Sequence, residues 1–103
     1  MLPPAISEGD LRTRLDQGGT LDACLVVVDR MPLRGAIDFL PFFRVSWDHK
    51  PLGIVLFRGR GLRGWADFRK LLDWIHKHGY RGPVVVVERG SPELREWRIE
   101  LSA

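Results

Sequence analysis

Residues 53–68 read GIVLFRGRGLRGWADF, and the middle of this stretch could do chemistry in three ways. Gly59, Gly61 and Gly64 have the G-x-G-x-x-G spacing of a dinucleotide-binding turn, after an apolar run and before a helical pattern. In such a turn, glycines let the backbone approach a pyrophosphate, and an acid ending the next strand holds a ribose. Glu88 ends the next apolar run. Three features oppose this reading. Glu88 stands further along than the roughly 20 residues the motif expects. Arg60 and Arg63 put bulk where close approach is needed, and the chain is too short for the second half of a dinucleotide domain. No cofactor is therefore expected. On the second reading the glycines only make a tight turn.

The third reading is electrostatic. Arg58, Arg60 and Arg63 alternate with the glycines, and a strand-to-helix loop with free N–H groups already favours anions. Arg30 and Arg34 occupy an earlier loop after an apolar run. In α/β sheets the loops after parallel strands gather at one end, so the two basic loops should converge. Arg89, Arg95 and Arg98, in the C-terminal region, would flank them. This pattern predicts a phosphate-binding edge for DNA or RNA.

Other reactive side chains give less. Cys24 is alone, so neither a disulfide nor a multi-cysteine metal site is possible within the chain, and its place in an apolar run predicts a buried thiol. His49, His76 and His78 do not form a metal set, and His76 and His78, two apart on a helix, are expected in solvent. Asp29 and Glu88, ending neighbouring strands, could pair as acid and base, or could cap loops and bind arginine. No catalytic residue, metal site or enzymatic activity is expected.

The elements that must position these residues follow from periodicity. SEGDLRTRLDQGG, 7–19, predicts a short helix capped by Ser7, with a narrow apolar stripe of Leu11 and Leu15 and a weak hold on the body. ACLVVVD, 23–29, predicts a strand buried on both faces. Ala36, Ile37, Leu40 and Phe43 are spaced for a helix between Leu33 and Trp47, interrupted by Pro41. WDHKPLG reads as a loop and GIVLF as the second strand. Phe68, Leu71, Leu72 and Ile75 mark the clearest helix, with Trp65 at its edge, Trp74 off its apolar face and Gly79 at its end. GPVVVVE predicts the third strand. Trp97, Ile99 and Leu101 alternate as a fourth, although Ser91-Pro92-Glu93 also reads as a helix start. The expected architecture is a single small α/β (α+β) domain, β-α-β-α-β-β at 23–103, with an additional helix in an N-terminal extension at 1–22.

Composition agrees with a folded, anion-binding protein. The chain has 103 residues, 45% apolar and net charge +3, with thirteen Arg against three Lys and a pI near 9.6. A packed core is possible, and general disorder is not the default. Arginine suits bidentate phosphate contacts, although a GC-rich genome would give the same bias. No apolar run is long enough to span a membrane and no basic-then-apolar leader opens the chain, so a soluble cytoplasmic protein is expected.

Three segments carry a resemblance. VVVDRMPLRGAIDFLPFF, IVLFRGRGLRGWAD and the closing WRIELSA together resemble the Alba family of small nucleic-acid-binding proteins over residues 24–103. They are similar to its basic loop with proline, its strand ending in A-R-G-R and its final strand. The resemblance implies a β-α-β-α-β-β fold, a homodimer and sequence-tolerant binding of nucleic acid. It departs where Arg30 and Met31 replace a lysine pair, at Pro41, and in the extra leading helix. RGRG also resembles the H-G-K-G of the Smr domain, whose histidines are missing here. DACLVVVDRMPLRGAIDFL resembles the phospho-acceptor segment of response-regulator receivers, with Asp29 as acceptor but no preceding acidic strand. A degenerate receiver-like regulatory domain acting through protein contacts is the alternative. A terminal hairpin at 83–102 would favour the first reading, and a terminal helix the second.

Overall fold

The most apolar segment of the chain sets the layout. In the computed structural model, which describes residues 4–31, 35–55 and 61–101, Cys24 to Val28 are all buried in the long strand β2 (Leu21–Met31). A strand apolar on both faces needs neighbours at both edges and cover on both sides. The neighbours come from β1 (Ala5–Ile6), β3 (Ala36–Val45), β4 (Asp48–Ile54) and β5 (Val84–Glu88), in the sheet order β1-β4-β3-β2-β5. β2, β3 and β4 form an antiparallel meander, while β5 lies parallel to β2 and β1 parallel to β4.

Helices α1 (Glu8–Asp16) and α2 (Phe68–Lys77) cover one face, where Leu11, Leu71, Trp74 and Ile75 pack on Cys24, Val26, Phe43 and Val45. The short α3 (Pro92–Glu96) and the chain after it cover the other, where Leu94 and Ile99 pack on Leu25, Val27, Leu40 and Phe42. The protein is thus a mixed five-stranded sheet with helices, an α+β arrangement. Among the described residues, no helix is long and apolar enough to cross a membrane.

Two expectations are corrected. Within the segment expected to be a helix from Leu33 to Trp47, Ala36–Val45 is strand β3, and the expected loop WDHKPLG is mostly β4, so among the described residues the order is β-α-β-β-β-α-β-α rather than a leading helix followed by β-α-β-α-β-β. Leu40, Pro41, Phe42 and Phe43 are apolar and buried on successive positions, so they satisfy a strand buried on both faces as well as a helical stripe. Pro41 is tolerated for a geometric reason. Phe39 exchanges both backbone bonds with Trp65, and N–H direction alternates along a strand, so Pro41's missing N–H faces the β4 side and not β2. That is where the neighbour of β3 changes from β4, paired at Phe42, to the segment bridging at Phe39.

The second correction is the tail. Trp97, Ile99 and Leu101 do not form a ladder strand, and among the described residues no hairpin occupies the stretch expected at 83–102. Ser91-Pro92-Glu93 starts α3, and the apolar side chains after it cover the face of the sheet opposite α1 and α2. α3 ends with Arg98 N–H bonding the Arg95 carbonyl and Ile99 N–H bonding that of Leu94, a Schellman closure completed by the Leu94–Ile99 apolar contact. α1 and α2 close the same way, but with glycine in the left-handed position, Gly18 at φ 98° and Gly79 at φ 91°. α3 places Arg98 there, at φ 58°. Arg98→Gly should therefore raise unfolding stability by about 1 kcal/mol, read as a higher urea midpoint at unchanged m-value.

Candidate nucleic-acid interface

β2, β4 and β5 run in one direction, so the chain leaves all three at the same end of the sheet. Arg30 lies near the end of β2 and Arg89 directly follows β5. Arg34, Arg58, Gly59 and Arg60 lie outside the described residues. The chain returns through Gly61, Arg63 and Gly64, held by the Val55–Leu62 and Phe39–Trp65 bridges.

At this end the arginines already have carboxylate partners. Arg30 grips Glu88 with two guanidinium nitrogens, Nε at 3.1 Å from Oε2, and this pair holds the Glu88 carboxyl below its ordinary range. Arg89 reaches Asp29 at 2.9 Å. Each strand end therefore sends an arginine to the acid of the other. The register pairs Val28 with Glu88, so Glu88 and Asp29 point to opposite faces of the sheet. They cannot act together as acid and base. Asp29, the acceptor position of the receiver-like reading, accepts from Arg89 in this structure.

The glycine fingerprint takes a structural form where it is described. Gly61 has φ 112°, which suits a turn. A β-carbon on Gly64 would come within 2.9 Å of the Asp38 side chain and 3.0 Å of Leu40, so glycine lets the returning chain pack on β3. The motif does not open the helix directly. Trp65, Ala66 and Asp67 intervene before α2, and the Asp67 carboxylate accepts the N–H groups of Arg69 and Lys70. The anion-binding end of α2 thus carries its own anion. Arg63 stacks over the Trp65 ring at 4.2 Å and lies 3.5 Å from Glu8.

The second group of arginines comes together without a hairpin. Arg89, Arg95 and Arg98 line one depression with Ser91 and Leu94. Arg98 also lines a neighbouring groove of about 480 Å³ with Arg44, His49, Lys50 and Trp97. The Arg44 guanidinium sits over the Trp97 ring at 4.4 Å. Both hollows share Arg98, Ile99 and Glu100, so they form one track across the α3 side, with Glu96 and Glu100 as its acidic members. Sequence reasoning missed Arg44, His49, Lys50 and Trp97 as a group, because β3 and β4 were read as a helix and a loop. The Arg/Trp composition was the only signal available.

A third polar centre ties the layers together. Glu8 accepts Trp74 Nε1–H at 2.9 Å and lies 3.1 Å from His78 Nε2 and 3.4 Å from Arg12. His78, expected in solvent, is buried, and Trp74 packs on the leading helix. Burial pushes the Glu8 carboxyl up, but the bonds from His78 and Trp74 and the Arg12 charge outweigh it, so its pKa falls below the ordinary value. Among the described residues no cluster of three metal-ligating side chains occurs. Cys24 is 2% exposed, and burial raises its pKa to about 12. No known protein family, curated protein or solved structure matches this chain.

Two outcomes are expected. A depressed folded pKa contributes stability above the unfolded value, here 4.5, and loses it as pH falls through the folded one. Urea midpoints should drop on acidification below this value, and Glu8→Ala should lower stability at neutral pH by about 1–3 kcal/mol while flattening the acid limb. The native Cys24 thiol should resist a thiol-reactive dye at neutral pH and react on unfolding.

Proposed function

We propose that this protein is a non-enzymatic, sequence-tolerant nucleic-acid-binding domain that acts as a homodimer. The observation that carries the reading is the track on the α3 side, where Arg89, Arg95, Arg98, Arg44 and Lys50 line adjoining hollows around Trp97. Cations that follow a backbone, set beside an aromatic ring, are the chemistry of single-strand binding. Arg89 also belongs to the sheet end reached by the loops after β2 and β4. Arg30, Arg34, Arg58, Arg60 and Arg63, with the backbone of Gly59, Gly61 and Gly64, would extend the surface there. The pairs Arg30–Glu88 and Arg89–Asp29 are exposed, and solvent-screened pairs of this kind are weak, so phosphate can compete with the carboxylates.

A second reading has one observation in its favour. α3 and the packed segment after it stand where the Alba-like expectation required a hairpin. A regulatory domain that works through protein contacts fits that ending.

Fluorescence anisotropy of labelled single-stranded RNA and duplex DNA over a salt series tests the choice. Nucleic-acid binding predicts affinity falling linearly in log–log form, with a slope near −0.9 per phosphate contact on duplex and about −0.7 on single strands. Arg44→Ala with Arg98→Ala should shallow the single-strand slope by about one to two contacts, and Arg58→Ala with Arg60→Ala should do the same for the loop. Absence of binding by the wild type at low salt would overturn the reading in favour of the protein-contact domain.

A further inference from the structure

We infer that the free edge of β5 is a self-association surface, on which a second copy of this chain adds its own β5 antiparallel and joins two five-stranded sheets into one. The inference rests on the dimer proposed above for its stoichiometry, and supplies an interface that does not depend on nucleic acid.

β5 ends the sheet, and its one strand neighbour is β2. Its register runs unbroken from Cys24–Val84 to Val28–Glu88, so no bulge twists the outer edge away. The strand is four valines and a glutamate. Val84 and Val87 pack into the two cores, but Val85 is 47% and Val86 45% exposed, on opposite faces of the sheet. Neither helical layer reaches them. Edge strands are ordinarily protected by lysine, proline, a bulge or brevity. The opposite edge, β1, is protected in that way, being two residues long. β5 has no such device between Pro83 and Glu88.

Two features select a second copy as the occupant. The strand is self-complementary, because antiparallel registers centred on it set valine against valine on both faces. Its ends also differ in charge, with exposed Arg81 before the strand and, at its end, exposed Glu88, which Arg30 of the same chain already holds. An antiparallel twofold brings the Arg81 end of one copy to the Glu88 end of the other, whereas parallel pairing would oppose like charges. A twofold contact also closes, consuming both β5 edges.

Sedimentation velocity of the full chain, without nucleic acid, from about 1 to about 300 µM tests this. A monomer–dimer equilibrium is expected, with hydrogen exchange at Val84–Glu88 slowing as concentration rises. Val86→Lys and Val85→Lys should each weaken association about tenfold or more, by placing like charges across the twofold. Arg81→Glu should weaken it more modestly. If one lysine variant fails to fold, the other and the wild-type exchange data carry the test. A wild type that stays monomeric throughout, lysine variants that dimerise like wild type, or open-ended oligomers would each overturn the inference. Low-salt anisotropy on monomeric Val86→Lys separates this failure from that of nucleic-acid binding.

Discussion

A strand with no polar face governs this structure. Cys24, Leu25, Val26, Val27 and Val28 put apolar side chains alternately on both sides of the sheet. Burying one such side chain contributes about 1.5–3 kcal/mol, and a domain's whole net stability is about 5–15 kcal/mol. Neither face can be left to water. α1 and α2 supply cover for Cys24 and Val26, and among the described residues the tail, helped by Leu62, supplies it for Leu25 and Val27. A tail strand added in the plane of the sheet would satisfy backbone groups and leave that second face open. This is the physical reason Trp97, Ile99 and Leu101 fold over the sheet rather than beside it.

The polar interactions do a different job. Glu8 receives Trp74 and lies against His78, and so fixes where α1 crosses α2. Leu11 and a weakly apolar helix could not set that angle alone. At the sheet end, Arg30 and Arg89 exchange partners with Glu88 and Asp29 on opposite faces, which aligns the ends of β2 and β5. These exposed pairs orient the strands more than they stabilise them. The same weakness leaves their arginines available to a stronger anion.

The legible parts of the chain were those with one consistent pattern. β2 and β5 were readable from their β-branched runs, and the face of α2 from Phe68, Leu71, Leu72 and Ile75. Cys24 was readable as a core thiol from its neighbours. Residues 36–45 were not, because a segment apolar on every side fits both periods and Pro41 argued against a strand. Its tolerance depends on which neighbour β3 has at that point, a tertiary fact. The Glu8 centre joins residues 66 and 70 positions apart, and polar contacts at that distance leave no periodic trace. The Arg44–Trp97 stack was hidden for a compounded reason: each partner sat in a segment whose element type was misread. Arg95 and Arg98 were singled out for a hairpin and are brought together by a helix turn instead.

The track and the edge are linked by geometry. The tail that carries Arg89, Arg95 and Arg98 begins where β5 ends. A twofold axis normal to the sheet, as antiparallel β5 pairing requires, keeps the α3 side of both copies on one side of the joined sheet. Two tracks then face the same direction, related by rotation, and one strand of nucleic acid can meet both. In the proposed dimer, binding at the second track would become intramolecular once the first is engaged, so two weak sites would act at a high effective concentration. A modest net charge of +3 per chain is then no obstacle to useful affinity. The valines of β5, which pack poorly as a solvent edge, acquire a reason in the same arrangement.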